Sequence, residues 1–240
     1  MKNVLLDAMD KRKSFHSFKA NRPLSIDEIG KIEAFFEQIT TLENNKIALK
    51  LVKKETTSCS KGEYCINIYA DKEDKDHLLN VGYVGEQLDL YLTSLGIGVC
   101  WYGFGRTQDK KYKDLDFIIM LNIQKVDDDE WRTDYHDTKR RSVDKFWSGE
   151  KLSGVSERCG YAPSSCNTQP WLVEHTGDKL IVSMTLSHVS IIPPRLKYFF
   201  HEIDMGIFLL FLELLLTKNG ISFIRELENE EGKIATYTLK

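Results

Sequence analysis

Two apolar stretches of the chain, GYVGEQLDLYLTSLGI at Gly82–Ile97 and GIFLLFLELLLTKNGI at Gly206–Ile221, align at an offset of 124 residues (82 to 206). Gly82/Gly206, Leu88/Leu212, Leu92/Leu216, Thr93/Thr217, Gly96/Gly220 and Ile97/Ile221 coincide, and Asp89 meets Glu213. RKSFHSF at Arg12–Phe18 lies over RRSVDKF at Arg140–Phe146 at the nearly equal offset of 128 (12 to 140). Two matches at almost one offset describe a chain made of two similar halves, each too long for a solenoid repeat and long enough for a sheet and its helices. The boundaries expected are a first half at 1–126, a polar linker at 127–139 and a second half at 140–240.

The elements follow the same order in both halves. In the first, Ser25-x-x-Glu28 is a capping box after Pro23, with Ile29, Ile32, Phe36 and Ile39 at helical spacing behind it. Strands are expected at Ile47–Leu51, Cys65–Ala70 and Phe117–Ile123, and a helix with Val81, Val84, Leu88, Leu92 and Leu95 on one face stops at Gly96. In the second, strands are expected at Trp171–His175, Leu180–Thr185 and Ala235–Leu239, with a helix from about Asp204 to Asn219. That helix is apolar nearly all round, whereas the first keeps Glu86, Gln87 and Asp89, so the second is expected to be the more deeply buried. The fold class is α+β, an internally duplicated pseudo-dimer with two central packed helices and mixed sheets.

The segment most informative about chemistry is APSSCNTQPWLV, Ala162–Val173. Pro163 fixes one backbone angle, Ser164 and Ser165 offer hydroxyls and amides, and Asn167 and Gln169 carry paired donors and acceptors. Such a loop suits the edge of a flat heterocycle, and the same residues also make an ordinary turn. Arg12-Lys13-Ser14 brings a guanidinium, an ammonium and a hydroxyl together as a phosphate clamp or as a solvated basic turn. Lys139-Arg140-Arg141-Ser142 carries the same two readings.

Other classes find little support. A net charge of −3 asks for neither a nucleic-acid backbone nor an anionic membrane as partner. The six histidines lack ligand spacing and no HExxH occurs, so no metal is expected. GxSxG and P-loop motifs are missing, and Gly96-Ile97-Gly98 ends a helix where a dinucleotide fingerprint would open one. Cys59, Cys65, Cys100, Cys159 and Cys166 form no CxxC pair and read as thiols of a reducing cytosol. The N-terminal apolar run is broken by Asp7 and Asp10, unlike a signal peptide, and Met205–Leu216 is too short to span a membrane.

Taken together, Arg12-Lys13-Ser14, the Pro163-Ser164-Ser165-Cys166-Asn167-Thr168-Gln169-Pro170-Trp171 loop and the Gly96-Ile97-Gly98-Val99-Cys100-Trp101 turn resemble the motifs of the nitroreductase family of flavoproteins. In the usual member the Ser-rich loop follows the first Arg-x-Ser motif and two identical chains build the sites. Here the loop follows the second copy, Arg140-Arg141-Ser142, which is similar to the single-chain branch whose two halves imitate the dimer. The resemblance implies a nitroreductase-like fold, bound FMN, NADH or NADPH as electron donor, and a nitroaromatic, quinone or similar small-molecule acceptor reduced by a ping-pong mechanism. It implies a pseudo-dimeric monomer or weak homo-oligomer, and the cysteine usage and N-terminus read as those of a cytoplasmic protein. The chemistry is carried by FMN, with no catalytic side chain. By the same resemblance Arg12, Lys13 and Ser14 hold the FMN phosphate, joined by Lys139 and Arg141. Pro163, Ser164, Ser165 and Asn167 border the isoalloxazine with Gln169 in support, and Gly103 approaches its redox edge. Only one Pro-Ser loop exists, so one FMN per chain is expected, with the Arg140 cluster facing a filled pocket. The alternative is a non-catalytic FMN carrier or sensor with the same motifs.

Overall fold

The structure, a computed structural model, describes residues 2–19, 22–228, 230 and 232–240. The chain divides into two compact units, Met1–Asp137 and Thr138–Lys240. The acidic run expected to begin the linker belongs to the first unit. Asp127 and Glu130 cap a short turn reciprocally, and Glu130 is buried.

The first unit contains helices α1 (Lys2–Lys11) and α2 (Ile26–Phe36), strands β1 (Ile47–Lys53) and β2 (Tyr64–Ala70), the long helix α3 (His77–Ser94), then β3 (Ile97–Tyr102), β4 (Lys111–Tyr112) and β5 (Leu115–Lys125). Its antiparallel sheet runs β1-β2-β5-β3, with β4 paired to β5. Ser25 and Glu28 start α2 through a complete capping box. Glu28 also accepts from Lys125 of β5, and that hydrogen bond is the main reason its carboxyl falls to about 2. Leu5, Leu6, Ala8 and Met9 form the buried face of α1. Gly96 ends α3 at a φ of +74°, the left-handed conformation that favours glycine.

The second unit contains β6 (Trp147–Gly149), the short α4 (Ser156–Cys159), β7 (Trp171–Thr176), β8 (Lys179–Met184), the long α5 (Pro194–Lys218), β9 (Phe223–Leu227) and β10 (Lys233–Leu239). Its sheet runs β6-β7-β8-β10-β9, with β6 parallel to β7 and every other pair antiparallel. Trp171, fully buried at the start of β7, stacks on Phe208 of α5 with ring centroids 4.9 Å apart. Leaving out β4 and β6, the two sheets share one path: β1-β2-β5-β3 corresponds strand for strand to β7-β8-β10-β9. In each, the long helix follows the second strand of that path.

Three sequence expectations change. α5 begins at Pro194, ten residues ahead of Asp204, because proline supplies a preset first-turn angle. Gly96–Trp101 is not a free turn: Ile97–Tyr102 forms β3 along β5, and Gly98 sits where a Cβ would crowd Phe15 and Val126. Both long helices are buried along most of their length, so α3 is not the shallower one. Glu86, Gln87 and Asp89 are 0%, 5% and 0% exposed, each with a polar neighbour inside the unit. Among the described residues no helix is long and apolar enough to cross a membrane.

Candidate functional site

In the second unit, hydrogen bonds gather most of the expected residues. The Pro163–Gln169 loop leads into β7 through a tight turn in which Cys166, Asn167 and Gln169 have φ of 52°, 55° and 53°. Three non-glycine residues in the left-handed region within four positions are strained backbone that the surroundings must hold. Ser164 Oγ accepts from the Gln169 amide at 2.9 Å and closes the loop. Gln169 Oε1 accepts from the Arg141 amide at 2.9 Å, and Asn167 Nδ2 donates to the Lys139 carbonyl at 3.0 Å. Arg140 Nη1 donates to Asn167 Oδ1 at 2.7 Å. The segment 139–141 is therefore clipped along the loop.

The charge distribution there is one-sided. Arg141 is half-buried, its Nε is buried without a hydrogen-bond partner, and among the described residues no carboxylate pairs with it. His188 turns its Nδ1 to the Gln169 carbonyl at 3.0 Å. Burial first, and then the Arg141 charge, hold its imidazole below the ordinary histidine value. Cys166 is exposed, and partial burial followed by the charge of Asp204 pushes its thiol up. It is a poor nucleophile at neutral pH.

The first unit treats its basic motif differently. Arg12 is 3% exposed, with Nε 3.0 Å from Asp89 Oδ2 and 3.5 Å from Glu86 Oε1 on α3. Its Nη2 donates to Ser14 Oγ at 3.1 Å, and Trp101 Nε1 donates to the same Asp89 oxygen at 3.0 Å. Gly85 makes room for that indole, since a Cβ there would run into the ring. The guanidinium expected to face a phosphate is thus enclosed and balanced by carboxylates of its own unit. Burial, and then the neighbouring Asp89, push the Glu86 carboxyl well above the usual range, and burial also raises the Asp89 carboxyl against the lowering effect of Arg12. Lys13 and Ser14 are half-exposed, and the Lys13 ammonium lies 4.7 Å from the Phe15 ring centre. Ser14 bridges Val99 at the edge of β3, and Gly103 follows that strand, half-buried.

A profile of the family described as "Putative TM nitroreductase" matches residues 4–215. The chain belongs to this nitroreductase family. A "putative nitroreductase" of Thermotoga maritima shares 22% identity and superimposes with a TM-score of 0.66 over 98% of this chain and 92% of that one, which establishes the nitroreductase-like fold. A nitroreductase with bound FMN from Desulfitobacterium hafniense matches 62% of this chain and 100% of that one, at 15% identity and a TM-score of 0.46. No curated protein matches the chain.

The structure also shows residues that the sequence motifs pass over. Asp204 and His201 of α5 lie beneath the loop: Asp204 Oδ1 accepts from Ser165 N at 2.7 Å and Ser165 Oγ at 3.0 Å, while Oδ2 lies 3.0 Å from His201 Nδ1. Neither residue stands in a local motif. The one signal in the sequence is the repeat itself, which places HEID at 201–204 over HLLN at 77–80.

Proposed function

We propose that this protein is a flavin oxidoreductase that binds FMN, accepts hydride from NADH or NADPH and reduces a nitroaromatic, quinone or similar acceptor in a ping-pong sequence. The observation that carries the reading is the unpaired Arg141 guanidinium beside the strained Pro163–Gln169 loop. A buried donor without an acceptor costs free energy that a phosphate oxygen would offset, and Arg is suited to grip such an anion in two places. The residues present fit the cofactor: Arg141 and Lys139 for the phosphate, and Pro163, Ser164, Ser165, Asn167 and Gln169 for the edge of the ring. Lys13, Ser14 and Gly103 of the first unit are proposed as further contacts. Arg12 is assigned a positioning role through the Ser14 hydroxyl that it holds.

When bound, the isoalloxazine supplies the hydride chemistry; the chain supplies orientation, hydrogen bonds and positive charge. The common strand path of the two sheets supports an internal duplication, and the single Pro-Ser loop supports one cofactor per chain. The visible spectrum of the purified protein tests the reading, with FMN added if the protein is isolated without it. A flavin band near one equivalent per chain, and NADH or NADPH oxidation that depends on added acceptor, are expected. Failure to retain or bind FMN would overturn it.

A further inference from the structure

The loop proposed to border the flavin is held from below by an acid–histidine pair whose counterpart in the other unit is an amide. In the first unit Asn80, 124 residues before Asp204, points its Oδ1 at the Leu42 amide at 3.1 Å, and Leu42 stands 123 residues before Ser165. The same position on the long helix therefore accepts from a loop amide in both units, the two amides lying within one residue of the repeat offset. His77, 124 residues before His201, turns instead to the Asp74 carbonyl at 2.6 Å and takes no part in that anchor. A neutral amide suffices where the loop has no ligand-like sequence.

The second unit departs from this in three ways. Its anchor is a carboxylic acid, 1% exposed, whose pKa is raised by burial against the lowering effect of His201 and Ser165. One carboxylate oxygen takes two donors from Ser165, the residue at which the chain enters the left-handed turn. The other is oriented by His201, which is fully buried and whose Nε2 has no partner. A fold served by packing alone would place an apolar residue at 201 and avoid the orphaned nitrogen.

We infer that Asp204 and His201 form a positioning pair for the cofactor loop. Asp204 pins Ser165 by both its amide and its hydroxyl, His201 fixes the direction of the carboxylate, and the strained backbone of Cys166, Asn167 and Gln169 is kept in the form that meets the ring. An anchor that takes two donors resists local unfolding more strongly than the single amide contact of Asn80. The inference rests on the FMN reading for its ligand and on the hydrogen bonds alone for its anchor.

The test uses the full chain and two readouts, hydrogen exchange of the 163–169 segment without cofactor and FMN affinity by flavin fluorescence. Asp204→Ala is expected to abolish the slow exchange of the segment, while α5 beyond Ile207 keeps its protection, and to weaken FMN binding by about ten- to a hundredfold. Asp204→Asn reproduces the Asn80 arrangement and is expected to recover most of both losses. His201→Leu is expected to fall between them. Exchange and affinity unchanged in Asp204→Ala would overturn the inference, as would losses in Asp204→Asn equal to those in Asp204→Ala. If the unaltered protein binds no FMN, the functional reading fails, and the exchange measurement still decides whether Asp204 pins the loop. If Asp204→Ala does not fold, the contrast between Asp204→Asn and His201→Leu decides by the same two readouts.

Discussion

Replacing Arg12 by Met separates a structural cation from a cofactor-facing one. The guanidinium is 3% exposed and lies 3.0 Å from Asp89 Oδ2, so its removal leaves an enclosed carboxylate whose remaining donor is Trp101 Nε1. Breaking one side of a buried pair costs about 3–5 kcal/mol, because the surviving charge keeps its desolvation penalty. Glu86 adds little to that loss where it stays protonated. The effect has a definite pH dependence. Burial raises the folded-state pKa of both Glu86 and Asp89. Their contribution is therefore fully present below the unfolded carboxylate pKa and is lost as pH rises through the folded value. Without Arg12, Asp89 loses the attraction and hydrogen bond that lower its pKa, so its folded-state pKa rises further and the loss continues to higher pH. Urea unfolding of both proteins at about pH 5 and about pH 8 should show a deficit of about 3–5 kcal/mol at the higher pH and a smaller one at the lower. A deficit below about 1 kcal/mol at the higher pH, or one that grows toward acid, would refute the paired-core account of Arg12.

The remaining predictions concern the proposed site and one helix end. Arg141→Ala should weaken FMN binding by about ten- to a hundredfold in a fluorescence titration with little change in the urea midpoint, since it frees no buried carboxylate. Released flavin measured against protein should approach about one equivalent per chain, because the Pro-Ser loop occurs once; near two equivalents would require a second site. Initial rates over a grid of nicotinamide and acceptor concentrations should give parallel double-reciprocal lines, and intersecting lines would show that both substrates bind together. Ser25→Ala should cost about 0.5–2 kcal/mol in urea unfolding by removing one half of the α2 capping box.

The fold was legible where apolar residues recur with a period. Ile47, Leu49 and Leu51 marked β1, the Ser25/Glu28 pair marked the start of α2, and Gly96 marked the end of α3. What escaped was set by contacts between distant segments. β3 reads as a turn because Gly96 and Gly98 are turn residues in isolation, yet Gly98 is small for a packing reason, the closeness of Phe15 and Val126. The polar residues of α3 look like a wet face in a helical projection. They are dry because Arg12, Trp101 and Thr40 each come from elsewhere in the first unit to meet them.

The site divides in the same way. Lys139, Ser164, Asn167 and Gln169 could be picked out because their functional groups cluster within one short loop and the strap beside it, and hydrogen bonds then join them. Arg12 was as visible in sequence and took a different role, since its motif says nothing about the two acids waiting on α3. The repeat offers the correction: Asp89 of α3 pairs with Arg12 and Trp101, while Glu213 of α5, at the matching position, takes Arg225 at 2.5 Å and the Tyr237 hydroxyl at 2.8 Å. In both units an acid on the long helix is matched by one arginine and one aromatic donor, a shared way of supplying a buried carboxyl with hydrogen-bond donors. An arginine consumed by that solution is not available to a ligand, whereas Arg141, which meets no acid among the described residues, is.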